Sequence, residues 1–270
     1  MNLEASQTVV RSPAGWILFA IAGLISCGIA GGLLDLRLAT HLQPYRWGPD
    51  AEISMQRLAS EKLPEANRQL RTTAFLAGAI ALGCLAGALT LGLCLVDAAK
   101  QRRISMVALT PIGTVVGAAA GAAGGYLAVR LHYYFEQKSA VAATMTEGIM
   151  IQAAAWTCAG VGVALGVWLV SSGSRKFLDT IIGGLLAGLL VGAAYPPIAG
   201  YFFTDFHTDR LFPEFGYYPP NAGFETTGAF LFWAMFTGTL YAAVLGCVSR
   251  RPDSIVKQTG SPVEGSTSEG

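Results

Sequence analysis

The sequence predicts an all-α protein, a polytopic bundle of six membrane-spanning helices. Its composition is 53% apolar and only 13% charged, whereas soluble domains are about a quarter charged. Six uncharged stretches of the chain each reach the roughly 20 residues that a helix needs to cross a bilayer. Glycine makes up 33 of the 270 residues, and part of it recurs at every fourth position. Small residues at that spacing are typical of helices that pack closely in lipid.

The predicted spans divide the chain into two tails and a membrane domain. The N-terminal tail covers residues 1–11, the membrane domain 12–249 and the C-terminal tail 250–270. The C-terminal tail is rich in Gly, Ser, Thr and Glu, which predicts disorder. The spans are predicted at about 16–34, 73–96, 106–129, 149–170, 180–202 and 227–248.

Span one begins at Trp16, a residue type that favours the membrane interface. The segment Leu24-Ile25-Ser26-Cys27, preceded by Arg11, also fits a lipoprotein signal cleaved before the cysteine, and this alternative stays open. The loop from residue 35 to residue 71 is the longest. It is either solvated or carries a surface helix, in which Pro64 would break the helix or start a new one.

Basic residues set the predicted orientation of the spans. Short turns with Lys and Arg follow spans two and four, and Arg250 and Arg251 follow span six. By the positive-inside rule, these turns and both termini lie in the cytoplasm. The connections after spans one, three and five are then outer loops, and those after three and five are rich in Tyr and Phe. Near the outer end of span five, Pro196 and Pro197 predict a distorted or ending helix.

Glycines at a spacing of four define two predicted helix-packing faces. Residues four apart lie close together on a helix surface, so each set forms a groove without side chains. The first set lies in span three and the second in span five: Gly113, Gly117, Gly121, Gly125; and Gly184, Gly188, Gly192.

The spans also resemble one another, which predicts an internal repeat. Span three aligns with span five at an offset of 71 residues, which superposes three glycines of one set on the other. Span two aligns with span six through Ala-Phe-Leu at 74–76 and 229–231, and with span four through Leu-Gly at 91–92 and 165–166. The predicted unit is a helical hairpin, repeated three times in one orientation.

Two groups of polar residues are candidate sites. Asp205, His207 and Asp209 would point the same way on an extended segment and suit a transition metal. The alternative, a polar outer loop whose charges face water, explains them more simply, because no second cluster supplies the remaining ligands. The second group would ring a pore mouth and select ions, or its arginines would extend to the interface. Its members are Asp35, Arg37, Arg130 and His132.

The sequence predicts the class of function only broadly. A net charge of +1 gives no basic surface for nucleic acid, and no motif predicts a cofactor or an enzyme. The expected partner is the lipid bilayer, with a protein partner or a second copy meeting the outer aromatic loops. We expect a non-enzymatic structural or interaction component of a membrane. The alternative is a channel or transporter for a small uncharged solute, in which polar side chains of the spans would converge on one axis.

Overall fold

The computed structural model describes residues 15–41, 63–138, 145–171, 176–202 and 225–248. These residues form six helices and the short connections between some of them. The helices are α1 (Gly15–His41), α2 (Leu63–Gln101), α3 (Ile104–Lys138), α4 (Met145–Val170), α5 (Phe177–Phe202) and α6 (Glu225–Val248). All six are long and apolar enough to cross a membrane, which confirms the prediction of an all-α chain with six helices of membrane-spanning length. Both predicted tails lie outside the described residues.

Several helices continue beyond the predicted spans. A span was limited by its first charged residue, but a helix continues through charged residues until a cap or a chain break stops it. The helix α2 has 39 residues and starts at Leu63, so Pro64 occupies its first turn, where proline costs no hydrogen bond. The helix α5 continues through Pro196 and Pro197 to Phe202, the residue at which span five was predicted to end. Of the two predicted effects of the prolines, a distorted or an ending helix, an end of the helix at the prolines themselves is wrong.

Consecutive helices pack side by side, and α6 returns to pack against α1. The even-numbered helices lie on the inside: 56% of the most apolar window of α2 and of α4 is buried, against 28% for α1 and for α3. The helix α2 also contacts α4 and α6 directly. The bundle therefore has three inner helices, α2, α4 and α6, surrounded by three outer ones.

The two kinds of helix bury different side chains. The largest fully buried side chains come mostly from inner helices and include Trp156, Trp233 and Tyr241. The outer helices expose isoleucines and leucines, such as Ile29 and Leu33 at about three-fifths exposure. Exposed apolar surface of this extent is expected where lipid is the solvent.

A tight turn joins α2 to α3. The backbone N–H of Arg103 donates to the carbonyl of Ala98 at 3.3 Å, and that of Arg102 to Ala99 at 3.4 Å. This pair of bonds ends a helix with a left-handed residue, and Arg102 has a φ of 52°. The predicted short basic turn therefore closes with arginine at a position that favours glycine.

Candidate functional site

The glycines of α3 lie where this helix meets α2. A Cβ atom added at Gly121 would lie 2.5 Å from the carbonyl oxygen of Leu82, and one added at Gly125 would overlap the carbonyl of Gly78. At Gly117 an added Cβ would overlap the Thr90 hydroxyl. Real Cβ atoms do not approach other atoms this closely, so the α2 and α3 backbones are nearer to each other here than any larger residue allows.

Gly113 differs from the other three glycines of α3 because it faces α4. Its added Cβ would lie 2.7 Å from the carbonyl oxygen of Gly166, and one at Gly166 would lie 2.5 Å from that of Gly113. A helix turns about 100° per residue, so four residues advance the direction by roughly 40° beyond one turn. Over the twelve residues from Gly113 to Gly125, the direction in which the glycines face around the helix axis therefore changes by about a third of a turn. For this reason one end of the run meets α4 and the other end meets α2.

The glycines of α5 approach α4 in the same manner. A Cβ added at Gly184 would lie 2.6 Å from the carbonyl oxygen of Gly160, and one at Gly192 would lie 2.5 Å from the Ala153 Cα. At Gly188 the added atom would overlap the carbonyl of Trp156. As the residue numbers of the contacting glycines on α5 increase, those of their partners on α4 decrease, so the two helices run antiparallel.

A third close contact, between α1 and α6, was not predicted. Gly23 and Gly238 face each other, and a Cβ added at Gly238 would lie 2.9 Å from the Gly23 carbonyl oxygen and 2.5 Å from the Cys27 Sγ. Neither glycine belongs to a run of glycines alone, but small residues at a spacing of four contain both of them: Gly23, Cys27 and Gly31 in span one, and Ala234, Gly238, Ala242 and Gly246 in span six. This pattern and the alignment of span two with span six, which places Gly83 on Gly238, are signals in the sequence that could have identified the contact.

Aromatic side chains fill the space between α4, α5 and α6. The rings of Trp156 and Trp233 meet edge to face with centroids 5.8 Å apart. The ring centroids of Tyr195 and Trp233 are 6.4 Å apart. One turn further, the Tyr241 hydroxyl donates to the Gly160 carbonyl at 2.7 Å. Both indoles are completely buried.

Threonine hydroxyls in the spans bond within their own helices. Each of six donates to the carbonyl four residues earlier, at distances between 2.5 and 3.0 Å. These donors are Thr90, Thr110, Thr114, Thr180, Thr237 and Thr239. A hydroxyl that is satisfied in this way has less capacity to line a path for a polar solute.

An open groove of about 580 Å³ lies between α3, α4 and α5. Its walls are mainly small or aliphatic, among them Ala120, Ala153, Cys158 and Leu165, and Thr157 is also part of them. Gln152, one turn from Trp156, is outside this groove and is 5% exposed. Thr157 and Gln152 therefore face different surroundings, whereas a channel or transporter would bring polar side chains of the spans to one axis.

The charged candidate residues are only partly described. Asp205, His207 and Asp209 lie outside the described residues, as do the side chains of Asp35 and Arg37 near the end of α1. On α3, Arg130 is exposed and His132 is half-buried beside Tyr133, with ring centroids 5.8 Å apart. Within the described ranges, no three His, Cys, Asp or Glu side chains are arranged to hold a metal ion.

Protein-family models, curated proteins and solved structures were compared with the chain, and none matches it.

Proposed function

We propose that this chain is a non-enzymatic structural or interaction component of a membrane. The observation that carries the proposal is the packing of the bundle interior. Between α4, α5 and α6, the fully buried side chains of Trp156, Trp233 and Tyr241 fill the bundle interior with aromatic rings. The six threonine hydroxyls that bond within their own helices support the same conclusion, because a polar solute would need them to face a shared path.

We also infer that the bundle consists of three repeated hairpins packed through close glycine contacts. Gly117, Gly121 and Gly125 meet Ala86, Leu82 and Gly78 of α2, while Gly184, Gly188 and Gly192 meet Gly160, Trp156 and Gln152 of α4. These contacts correspond at an offset of 67 residues for α3 and α5 and of 74 for α2 and α4. The second offset equals that of the span-two and span-four alignment.

The offset of 67 differs from the aligned offset of 71 by four residues, about one helical turn. A ladder of glycines with a period of four aligns with itself after a shift of four, so the alignment by residue identity does not distinguish the two offsets. The contacts support the offset of 67 residues, because at that offset the contacting positions of α2 and α4 differ by 74 residues, as in their sequence alignment. The proposed hairpins are α1 with α2, α3 with α4, and α5 with α6, so the glycine contacts of α3 with α2 and of α5 with α4 lie between neighbouring hairpins. The contact of Gly23 in α1 with Gly238 in α6 is the third contact of this kind.

We propose that the partner surface lies at the end of the bundle where α1, α3 and α5 finish. Tyr134 and Tyr201 are 50% and 83% exposed there, and tyrosine combines a large apolar area with a polar tip that suits interfaces. With the predicted cytoplasmic termini, this is the outer end. A variant with both Tyr134→Ser and Tyr201→Ser should lose association with a partner or with a second copy, measured by crosslinking in native membranes. Tyr126→Ser is the control and should retain this association, because Tyr126 is 48% exposed but lies eight residues before Tyr134, away from the end of α3.

Solute flux tests the main proposal directly. The purified protein is reconstituted in liposomes, and shrinkage after a glycerol, urea or sorbitol gradient is followed by light scattering. We expect the rates to equal those of protein-free liposomes. A protein-dependent rate that Trp156→Ala increases further would show that a path runs through the aromatic layer, and would replace the structural proposal with that of a channel or transporter.

A further inference from the structure

The middle of the bundle contains a buried N–H donor that lacks an acceptor. Trp156 lies near the centre of α4, with its side chain 0% exposed. Among the described residues, none accepts a hydrogen bond from its Nε1. An indole N–H only donates, and a buried donor that is left unsatisfied costs about 1–3 kcal/mol. No bulk water is available at this depth of a bilayer to lower that cost.

The neighbouring helix α5 has the opposite deficit. In a helix the carbonyls of Gly192 and Ala193 would accept from the backbone N–H groups at 196 and 197, but Pro196 and Pro197 have none. The backbone of Gly192 is in close contact with α4 at Ala153, and Gly188 is in close contact with the backbone carbonyl of Trp156. The residue that carries the unsatisfied indole therefore meets α5 about one helical turn before Gly192, whose carbonyl is the first without a helical donor.

We propose that a buried water molecule links the Trp156 indole N–H to the α5 carbonyl released by Pro196. Water both accepts and donates, so one molecule satisfies a donor and an acceptor that belong to rigid, separate helices. Buried waters usually make about three hydrogen bonds to groups that would otherwise be unsatisfied. This site is independent of the proposed function, since a structural component and a transporter would both need the indole satisfied.

Water-selective NMR on the ¹⁵N-labelled protein in deuterated detergent tests the site. The indole signal of Trp156 is identified by its loss in Trp156→Phe. If that variant does not fold, the signal is identified by elimination in a protein in which Trp16, Trp47 and Trp168 are replaced by phenylalanine, with Trp233→Phe separating the two that remain. We expect a cross-peak between the Trp156 indole proton and water. The absence of this cross-peak would overturn the proposal.

A proline variant tests the second anchor of the water molecule. Pro196→Ala restores a backbone N–H that can bond to the Gly192 carbonyl, so we expect the water cross-peak of Trp156 to be lost. Pro111→Ala is the matched control, because Pro111 also lies inside a helix but belongs to the first turns of α3, and the cross-peak should persist there. A cross-peak that survives in Pro196→Ala would overturn the proposed link to α5.

Discussion

Replacing Gly121 by alanine tests the close approach of α2 and α3. The substitution adds one methyl group, which would lie 2.5 Å from the Leu82 carbonyl oxygen and 2.6 Å from the Ala86 Cβ. Ordinary contacts between carbon atoms are about 3.5–4.0 Å, so the helices would have to separate by roughly 1 Å. Gly32→Ala is the matched control, because an added Cβ at Gly32 of α1 meets nothing within 4 Å.

The two substitutions share one energy term and differ in another. Alanine is better than glycine in a helix by about 0.8–1.0 kcal/mol, and this gain applies at both positions. Overpacking costs typically about 1–3 kcal/mol and applies only at Gly121. The free energy of unfolding of Gly121→Ala should therefore be lower than that of Gly32→Ala by about 1–3 kcal/mol.

Thermal unfolding in mild detergent, followed by tryptophan fluorescence, measures this difference. One kcal/mol corresponds to about 2–4 °C for a domain of 150–250 residues, so Gly121→Ala should unfold roughly 2–12 °C below Gly32→Ala. We expect Gly121→Leu to fall further and Gly32→Leu to remain near the wild type. Equal midpoints for the two alanine variants would refute the reasoning, because they would place both glycines in open surroundings.

Three further predictions concern a hydrogen bond, a turn and the orientation. Tyr241→Phe removes the donor to the Gly160 carbonyl and should lower the free energy of unfolding by about 1 kcal/mol, whereas Tyr126→Phe, at a position that is 48% exposed, should leave the unfolding midpoint unchanged. Arg102→Gly relieves a left-handed residue and should raise the free energy of unfolding by about 1 kcal/mol, measured by denaturant unfolding; a lowered midpoint would contradict the turn geometry. Reporter fusions should give cytoplasmic signals after spans two, four and six, and the opposite signal after spans one, three and five. A cytoplasmic signal from the loop after span one would reverse the predicted orientation. The fusion points are Arg103, Lys176 and Arg251 for the first group, and Gln56, Lys138 and Pro219 for the second.

Helix ends could be predicted less well than the presence of helices. Hydropathy marks where a chain crosses lipid, but a helix has no reason to end at the same point, since water tolerates exposed charged side chains on it. For this reason α3 continues past Val129 to Lys138. Similarly, Pro196 and Pro197 indicated a helix end that α5 does not have, because the packing of a membrane bundle can hold a helix together across missing backbone bonds.

The candidate glycine surfaces illustrate a second limit of the sequence. A spacing of four indicates that glycines lie near one another on a helix, but not which helix they meet. Gly113 and Gly117 are neighbours in the same run, yet one meets α4 and the other α2. Gly23 and Gly238 meet, although neither belongs to a run made of glycine alone.

The sequence by itself determined that this chain is helical, that six helices are apolar enough for a bilayer, and where glycine makes close packing possible. These properties depend on local composition and spacing, because transfer to lipid and helix geometry act on each segment separately. The tertiary structure shows which helices are inner, the register of α3 and α5 against their neighbours, and the burial of Trp156 at its contact with Gly188 of α5. Those features depend on which residues from distant parts of the chain come into contact, and apolar segments of similar composition leave that choice to the fit of their surfaces.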